Sequence, residues 1–391
     1  MPHTRPRHLE SRIRQALAWS PSVSLVGMRQ SGKTTLVKRM CPGYLSFDDD
    51  ALVGATEAGT WDQFLAQPRP LALDEVQKAP RVFSRLKLWI DERRRPGQFV
   101  LTGSVRFLSR RAIRESLTGR TALLELLPLT VAEAHGRPLA DTVSRLLTLD
   151  DAALRRLEAE AWCSATTLES YCARGGMPGI CFHRNESVRR HAWDSHLDAV
   201  LARDLQLVYA TRIGVARMKA LFAHMAAQQG EPLPLARMAR IVGSSDKTTA
   251  QVLHAFESLF LIRRHGKSWY CEDMGLAASA CKAAWLHNAV PLRRWVFGEL
   301  LSQLHIHHAN NHEFGEYRTR GGAFIPFVIT VENAMLLLSV DAAPAPSEKS
   351  LKSLGSFRGR ARHITRVALH AGDEGWRTPR GIWCLPARWL A

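Results

Sequence analysis

Ser22-Val23-Ser24-Leu25-Val26-Gly27-Met28-Arg29-Gln30-Ser31-Gly32-Lys33-Thr34-Thr35 is the stretch on which the fold turns. Five β-prone residues run straight into Gly27–Thr34, which carries the spacing GxxxxGK[ST], and Leu36-Val37-Lys38-Arg39-Met40 continues as a helix. Strand, glycine loop and helix in that order predict a phosphate-binding loop. The glycines let successive backbone N–H groups and the positive helix end converge on one anion. Lys33 supplies a point charge for the β and γ phosphates, and Thr34 offers a hydroxyl to Mg²⁺. Gly27, Met28, Arg29, Gln30, Ser31, Gly32 and Thr35 complete the cradle, so the ligands expected are ATP and Mg²⁺.

Working outward, Pro70-Leu71-Ala72-Leu73 is a second strand-like run that delivers Asp74 and Glu75 at its C-terminal end, where ligand groups of parallel α/β sheets collect. Asp74 is expected to hold the metal, and Glu75 to orient or deprotonate the attacking water. A third run, Phe99-Val100-Leu101, ends in Thr102-Gly103-Ser104 and places Thr102 as a sensor of the γ-phosphate or the water. An Arg-rich helix with Arg106, Arg110, Arg111 and Arg114 follows, then Ser116-Leu117-Thr118-Gly119-Arg120. Arg120 reads either as an arginine finger, in its own subunit or a neighbour's, or as a surface arginine paired with acids.

The 391 residues predict two to four modules, and 46% hydrophobic with 23% charged residues marks an ordinary globular chain. With 53 Lys+Arg against 36 Asp+Glu, the formal charge of +17 suits either a polyanionic partner or merely Arg-rich solvated faces. Seven cysteines without a CxxC pair, behind a polar basic N-terminus, point to reduced thiols in the cytoplasm. The most apolar later stretch, Phe324 to Val340, is interrupted by Pro326, Glu332 and Asn333, short of the ~20 apolar residues a membrane helix needs.

The phrases GMRQSGKTTL (27–36), LALDEVQKAP (71–80), LTGS (101–104) and SLTGR (116–120) resemble, in order and spacing, prokaryotic AAA-superfamily ATPases whose C-terminal half is a domain of unknown function. Leu127-Pro128-Leu129 with Glu133, Tyr171 with Gly175, Gly176 and Pro178, and Arg203-Asp204 continue the pattern. The resemblance implies an α/β AAA-like P-loop core with a parallel sheet, a helical segment, a winged helix and a C-terminal α/β module of restriction-endonuclease-like fold. The boundaries expected are 1–135, 136–210, 211–272 and 273–391.

Leu146, Leu147, Leu154 and Leu157 lie at helix spacing in the second segment. In the third, helices over 215–228, 235–241 and 246–260 precede a hairpin at Gly266. Were this unit to hold DNA, Ser244, Lys247, Thr248 and Thr249 would face the major groove while Arg263, Arg264, His265 and Lys267 gripped phosphates; a protein-contact role is the other reading. In the last segment Pro326, Ser339 and Asp341 fall where nuclease relatives carry Asp, Glu and Lys, so the module is expected to be catalytically silent, with Glu299 and Glu316 as leftovers. Strand alternation would put His305 and His307 on one face near His308 and His312; a solvated loop is the preferred reading over a zinc centre. The functional expectation is hydrolysis of ATP coupled to a DNA or protein partner, in a monomer or an oligomer. Its alternative is a nucleotide-gated DNA-binding regulator or scaffold whose hydrolysis is incidental.

Overall fold

A computed structural model describes residues 5–106, 117–281, 290–309 and 311–391. Arg110, Arg111, Arg114 and Ser116 lie outside the described residues. In α1 (Leu9–Trp19) Leu9, Ile13 and Ala16 form one buried stripe lying on β1 (Ser22–Val26). β1 is buried along its whole length, so its serines need partners inside the sheet. Ser22 Oγ donates to Arg120 O at 3.0 Å, and Ser24 Oγ bonds Thr121 Oγ1 at 2.9 Å.

The chain continues through α2 (Lys33–Met40), β2 (Gly43–Ser46), α3 (Asp50–Glu57), α4 (Asp62–Leu65), β3 (Leu71–Asp74), α5 (Arg81–Glu92), β4 (Phe99–Gly103) and β5 (Thr121–Glu125). The five strands are all parallel, in the order β2-β3-β4-β1-β5. Parallel pairing demands crossovers that cover both faces. Leu36 and Val37 of α2 join Val23, Leu25 and Val100 on one side; Val82, Leu86 and Ile90 of α5 join Leu71, Leu73 and Leu101 on the other. Because Val26 pairs with Gly103 and Leu73 with Leu101, the loops after β1, β3 and β4 open on one crevice.

Short capped helices follow: α6 (Val131–Ala134), with a capping box between Thr130 and Glu133, α7 (Thr142–Leu147), α8 (Asp151–Glu160) and α9 (Ala165–Arg174). α10 (Glu186–Ala199) runs through a π-helical turn at Val200–Asp204 into α11 (Leu205–Val208). Next come α12 (Val215–Ala227), α13 (Leu235–Val242) and α14 (Asp246–Ser258), joined by Gly243 in the left-handed region and by the cap Ser245. β6 (Ile262–His265) and β7 (Ser268–Cys271) then form an antiparallel hairpin around Gly266 and Lys267.

This hairpin is not a free wing. Arg263, expected to grip phosphate, is clamped half-buried between Glu125 and Glu272; it bonds Glu125 and donates to Glu272 at 2.6 and 3.2 Å, while Arg106 reaches Glu125 at 3.3 Å. His265, likewise expected at a phosphate, lies among Phe297, Phe314 and Phe327, its Nε2 facing Gly315 O (3.0 Å) and Pro326 O (3.2 Å). Thr249 also fails to face a groove: it is buried, with its hydroxyl donated to Ser245 O. Burial wins at these three positions because each lies on the inward face of its helix or strand.

α15 (Met274–Cys281) packs against α9, α10 and α12, and α16 (Val290–His307) leads into β8 (Glu313–Arg318), β9 (Phe324–Val331) and β10 (Ala334–Val340). α17 (Glu348–Ser356), β11 (His363–His370), β12 (Trp376–Arg377) and β13 (Trp383–Pro386) complete a mixed sheet ordered β12-β13-β11-β10-β9-β8. His305 and His307 lie on a helix rather than a strand, and among the described residues no cluster of three or more His, Cys, Asp or Glu side chains is placed to hold a metal ion by itself. No helix among the described residues is long and apolar enough to cross a membrane.

Candidate nucleotide site

The loop between β1 and α2 has little room for side chains. A Cβ on Gly27 would sit 2.4 Å from Leu126 O, and Gly32, the N-cap of α2, holds φ +95°. Lys33 turns back under the loop, its Nζ donating to Gly27 O and Met28 O at 2.9 Å each. Burial pulls its pKa down to about 8, opposed by the nearby Glu75 and Asp74.

Facing it, Asp74 gathers three hydroxyls. Thr34 Oγ1 and Tyr44 OH donate to Oδ2 at 2.8 Å each, and Thr102 Oγ1 donates to Oδ1. Thr102 Oγ1 also accepts from Glu75 N at 3.2 Å, so one hydroxyl spans both acids. Glu75 itself adopts φ +52°, unusual for a residue with a side chain, and its Oε2 accepts from Ser104 Oγ (3.1 Å) and from Gln77 Nε2. Thr34 and Asp74 present hard oxygen donors side by side, the chemistry Mg²⁺ selects, and would hold it. When bound, the ion neutralises phosphate charge.

A cleft of about 340 Å³ opens over this loop, bounded by Gln30, Gly32 to Leu36 and Glu75. Arg5, Arg7, Arg39, Leu129, Pro178 and Gly179 close its other sides. The sequence reading missed several of these. Arg7 is buried, donating to Ser31 O at 2.7 Å, to Leu127 O at 2.5 Å and to Glu133 at 3.2 Å, and so ties the N-terminal segment to the loop. Pro178 and Gly179 arrive because Gly176 crosses the backbone of Leu129: Leu129 N donates to Gly176 O at 2.8 Å, and a Cβ on Gly176 would meet Leu129 O at 2.2 Å. The pattern Tyr171, Gly175, Gly176, Pro178 was the available signal, with Tyr171 OH bonded to Leu129 O at 2.6 Å. Asp204 is another such signal: it lies 3.5 Å from Arg29 of the loop, while His196 Nδ1 lies 3.1 Å from Gln30 Oε1.

Arg120 is not brought to the cleft. It precedes β5, at the opposite edge of the sheet from the loop, and forks onto Asp91 at 2.8 and 2.7 Å. A finger acting within its own subunit is therefore ruled out by the strand direction. Of the residues proposed to meet nucleic acid, Lys247, Arg264 and Lys267 are exposed, Thr248 is half-buried and Arg263 is sequestered as described.

Residues 20–135 match the family model described as an AAA domain. The parallel five-stranded sheet and its glycine loop thus lie within a region similar to an AAA domain. Residues 165–279 match a domain of unknown function, DUF8612. The uncharacterized proteins Mb2031c of Mycobacterium bovis and Rv2008c of Mycobacterium tuberculosis are each 29% identical over 265 residues, covering 66% of this chain and 52% of their own length. The chain thus spans about half the length of these curated relatives. Among solved structures, the Walker-type ATPase PABY2304 of Pyrococcus abyssi is similar at TM-score 0.43 and 15% identity over 72% of this chain and 98% of its own. AMPPCP-bound DnaA of Aquifex aeolicus follows at 0.26 and 14%, over 64% and 86%. Likenesses this loose say nothing further about the chain.

Proposed function

We propose that the chain binds ATP with Mg²⁺ in this cleft, hydrolyses the terminal anhydride, and passes its nucleotide state to a DNA or protein partner. The observation that carries the chemistry is the opposition of Lys33 to the Asp74–Thr34 pair, with Glu75 fixed at the cleft by Ser104 and Gln77. Lys33 and the loop N–H groups bind and orient the phosphates, and Thr102 reports their position to both acids. As water oxygen bonds the γ-phosphorus, Glu75 accepts the water proton and ADP departs with the bridging oxygen.

Support for coupling comes from the loop's own side chains. Arg29 and Gln30 reach Asp204 and His196 on one continuous helical element. One residue beyond α11, Tyr209 OH donates to Gln251 of α14 at 2.9 Å. The π-turn at Val200–Asp204 is a type of irregularity frequent at functional sites, and it sets Asp204 opposite the loop. The same contacts favour the second reading, a nucleotide-gated regulator, in which turnover only resets the switch.

Three helices and a hairpin over 211–272 support a winged helix between a connector at 136–210 and a module at 273–391. The helix-flanked mixed sheet of that module supports a restriction-endonuclease-like fold without its chemistry. Pro326 lies within β9, Ser339 is buried, Glu316 is spent on Lys267 N and Ser268, and Glu299 accepts from Val131 N. The test is phosphate release: Lys33→Ala should lose ATP binding, and Glu75→Gln should retain ATP while turnover falls at least a hundredfold. Unchanged release in both variants contradicts the assignment.

A further inference from the structure

The segment 205–256 holds six Lys and Arg (Arg212, Arg217, Lys219, Arg237, Arg240, Lys247) against two acids, Glu231 and Asp246. Among the described residues only Lys219 of the six is paired with a carboxylate, Asp198 at 2.6 Å. Unpaired cations in such excess leave a surface that attracts anions.

Their placement narrows the partner. One side of α14 is buried through Thr249, Val252, Leu253 and Phe256, and the other exposes Lys247, Ala250, Gln251 and His254, a stripe at i, i+3, i+4 and i+7. Exposed Asp246 and half-buried Glu257 border this stripe at its two ends, and the stripe itself carries no large apolar side chain, so it lacks the aromatic or aliphatic anchor on which protein interfaces depend. It does carry groups that can donate to base edges: the Lys247 ammonium, the His254 imidazole and the amide N–H of Gln251, whose Oε1 accepts from Tyr209. At its N-terminal end a hollow lined by Thr211, Arg212, Arg217, Ser244 and Thr248 supplies cations and hydroxyls for the flanking phosphates. The hairpin offers little help, since Arg263 is held by Glu125 and Glu272, His265 is buried, and Lys267 N and Ser268 are bonded to Glu316.

We infer that the outward face of α14, with Arg212 and Arg217, is a docking surface for duplex DNA that takes the helix into the major groove without the hairpin tip. This deepens the partner half of the proposed function and rests on that half alone.

The experiment is fluorescence anisotropy of a labelled 30-base-pair duplex with the full chain, without nucleotide, across a salt series. Neutralising roughly four to five phosphates predicts a loss of affinity of about 10²–10³-fold between 50 and 200 mM salt. Arg212→Glu with Lys247→Glu should abolish binding at every salt concentration, whereas Gln251→Ala with His254→Ala should keep the salt slope and flatten preference among duplex sequences. Arg358→Glu with Arg360→Glu, in the exposed loop between α17 and β11, should change neither. No binding at 50 mM salt, or binding that survives the first pair of changes and is lost with the last, overturns the inference; the former result would leave the face to a protein partner. Calorimetry with ATP on the same preparations separates this failure from failure of the nucleotide reading.

Discussion

Lys33 gives the account a pH signature with two opposite signs. Its ammonium is buried, and the cost of desolvation brings its pKa from 10.5 to about 8. Triphosphate binding needs the charged form, while the Mg-bound triphosphate itself scarcely titrates above neutrality. The charged fraction falls from roughly nine-tenths at pH 7 to one-tenth at pH 9, so ATP affinity should weaken about tenfold, or ~1.4 kcal/mol. Folding stability, measured without added nucleotide, moves the other way. Between pH 8 and 10.5 the unfolded chain binds the Lys33 proton more tightly than the folded one, so this group makes stability rise with pH, by about 3 kcal/mol over the whole window. Isothermal titration calorimetry at pH 7, 8 and 9 checks the first effect. Urea denaturation across pH 8 to 10, taken as the difference between wild type and Lys33→Met, isolates the second, because the other titrating groups are shared. An affinity flat from pH 7 to 9, or a wild-type-minus-variant stability that drops with pH, refutes the reasoning.

Two further outcomes follow from the same geometry. Arg263→Leu leaves buried Glu272 without its cation and Glu125 with Arg106 alone, removing the larger of the two guanidinium charges that hold the Glu125 carboxyl well below the usual range, and should cost about 3–5 kcal/mol by chemical denaturation; a cost below about 1 kcal/mol contradicts the buried clamp. Ser104→Ala with Gln77→Ala releases the Glu75 carboxylate from its two donors, so kcat should fall roughly tenfold or more with KM for ATP little changed; an equal effect on KM alone would show that these residues serve binding instead.

The core was the most legible part of the molecule because local pattern and fold agree there. An apolar run, a glycine loop and a helix can dock on a parallel sheet in few ways, and Asp74, Glu75 and Thr102 stand at strand ends as their positions in sequence required. For Arg120 the sequence left two readings open because residue order does not say which end of a strand a side chain reaches; standing before β5, it pairs with Asp91 as the surface-arginine reading had it. Arg263 and His265 look like a basic hairpin tip when read alone, yet partners 138 and 61 residues away, Glu125 and Pro326, decide their burial. Arg7, Tyr44 and Pro178 escaped for the same reason: each meets the loop only through tertiary packing.

The central claim is that this loop and its facing acids hold a metal-bound triphosphate, and calorimetric titration of the purified chain with ATP and Mg²⁺ tests it most directly. The account predicts saturable binding near one equivalent, lost in Lys33→Ala and kept in Glu75→Gln. No heat in the wild-type protein, or undiminished binding in Lys33→Ala, would contradict it.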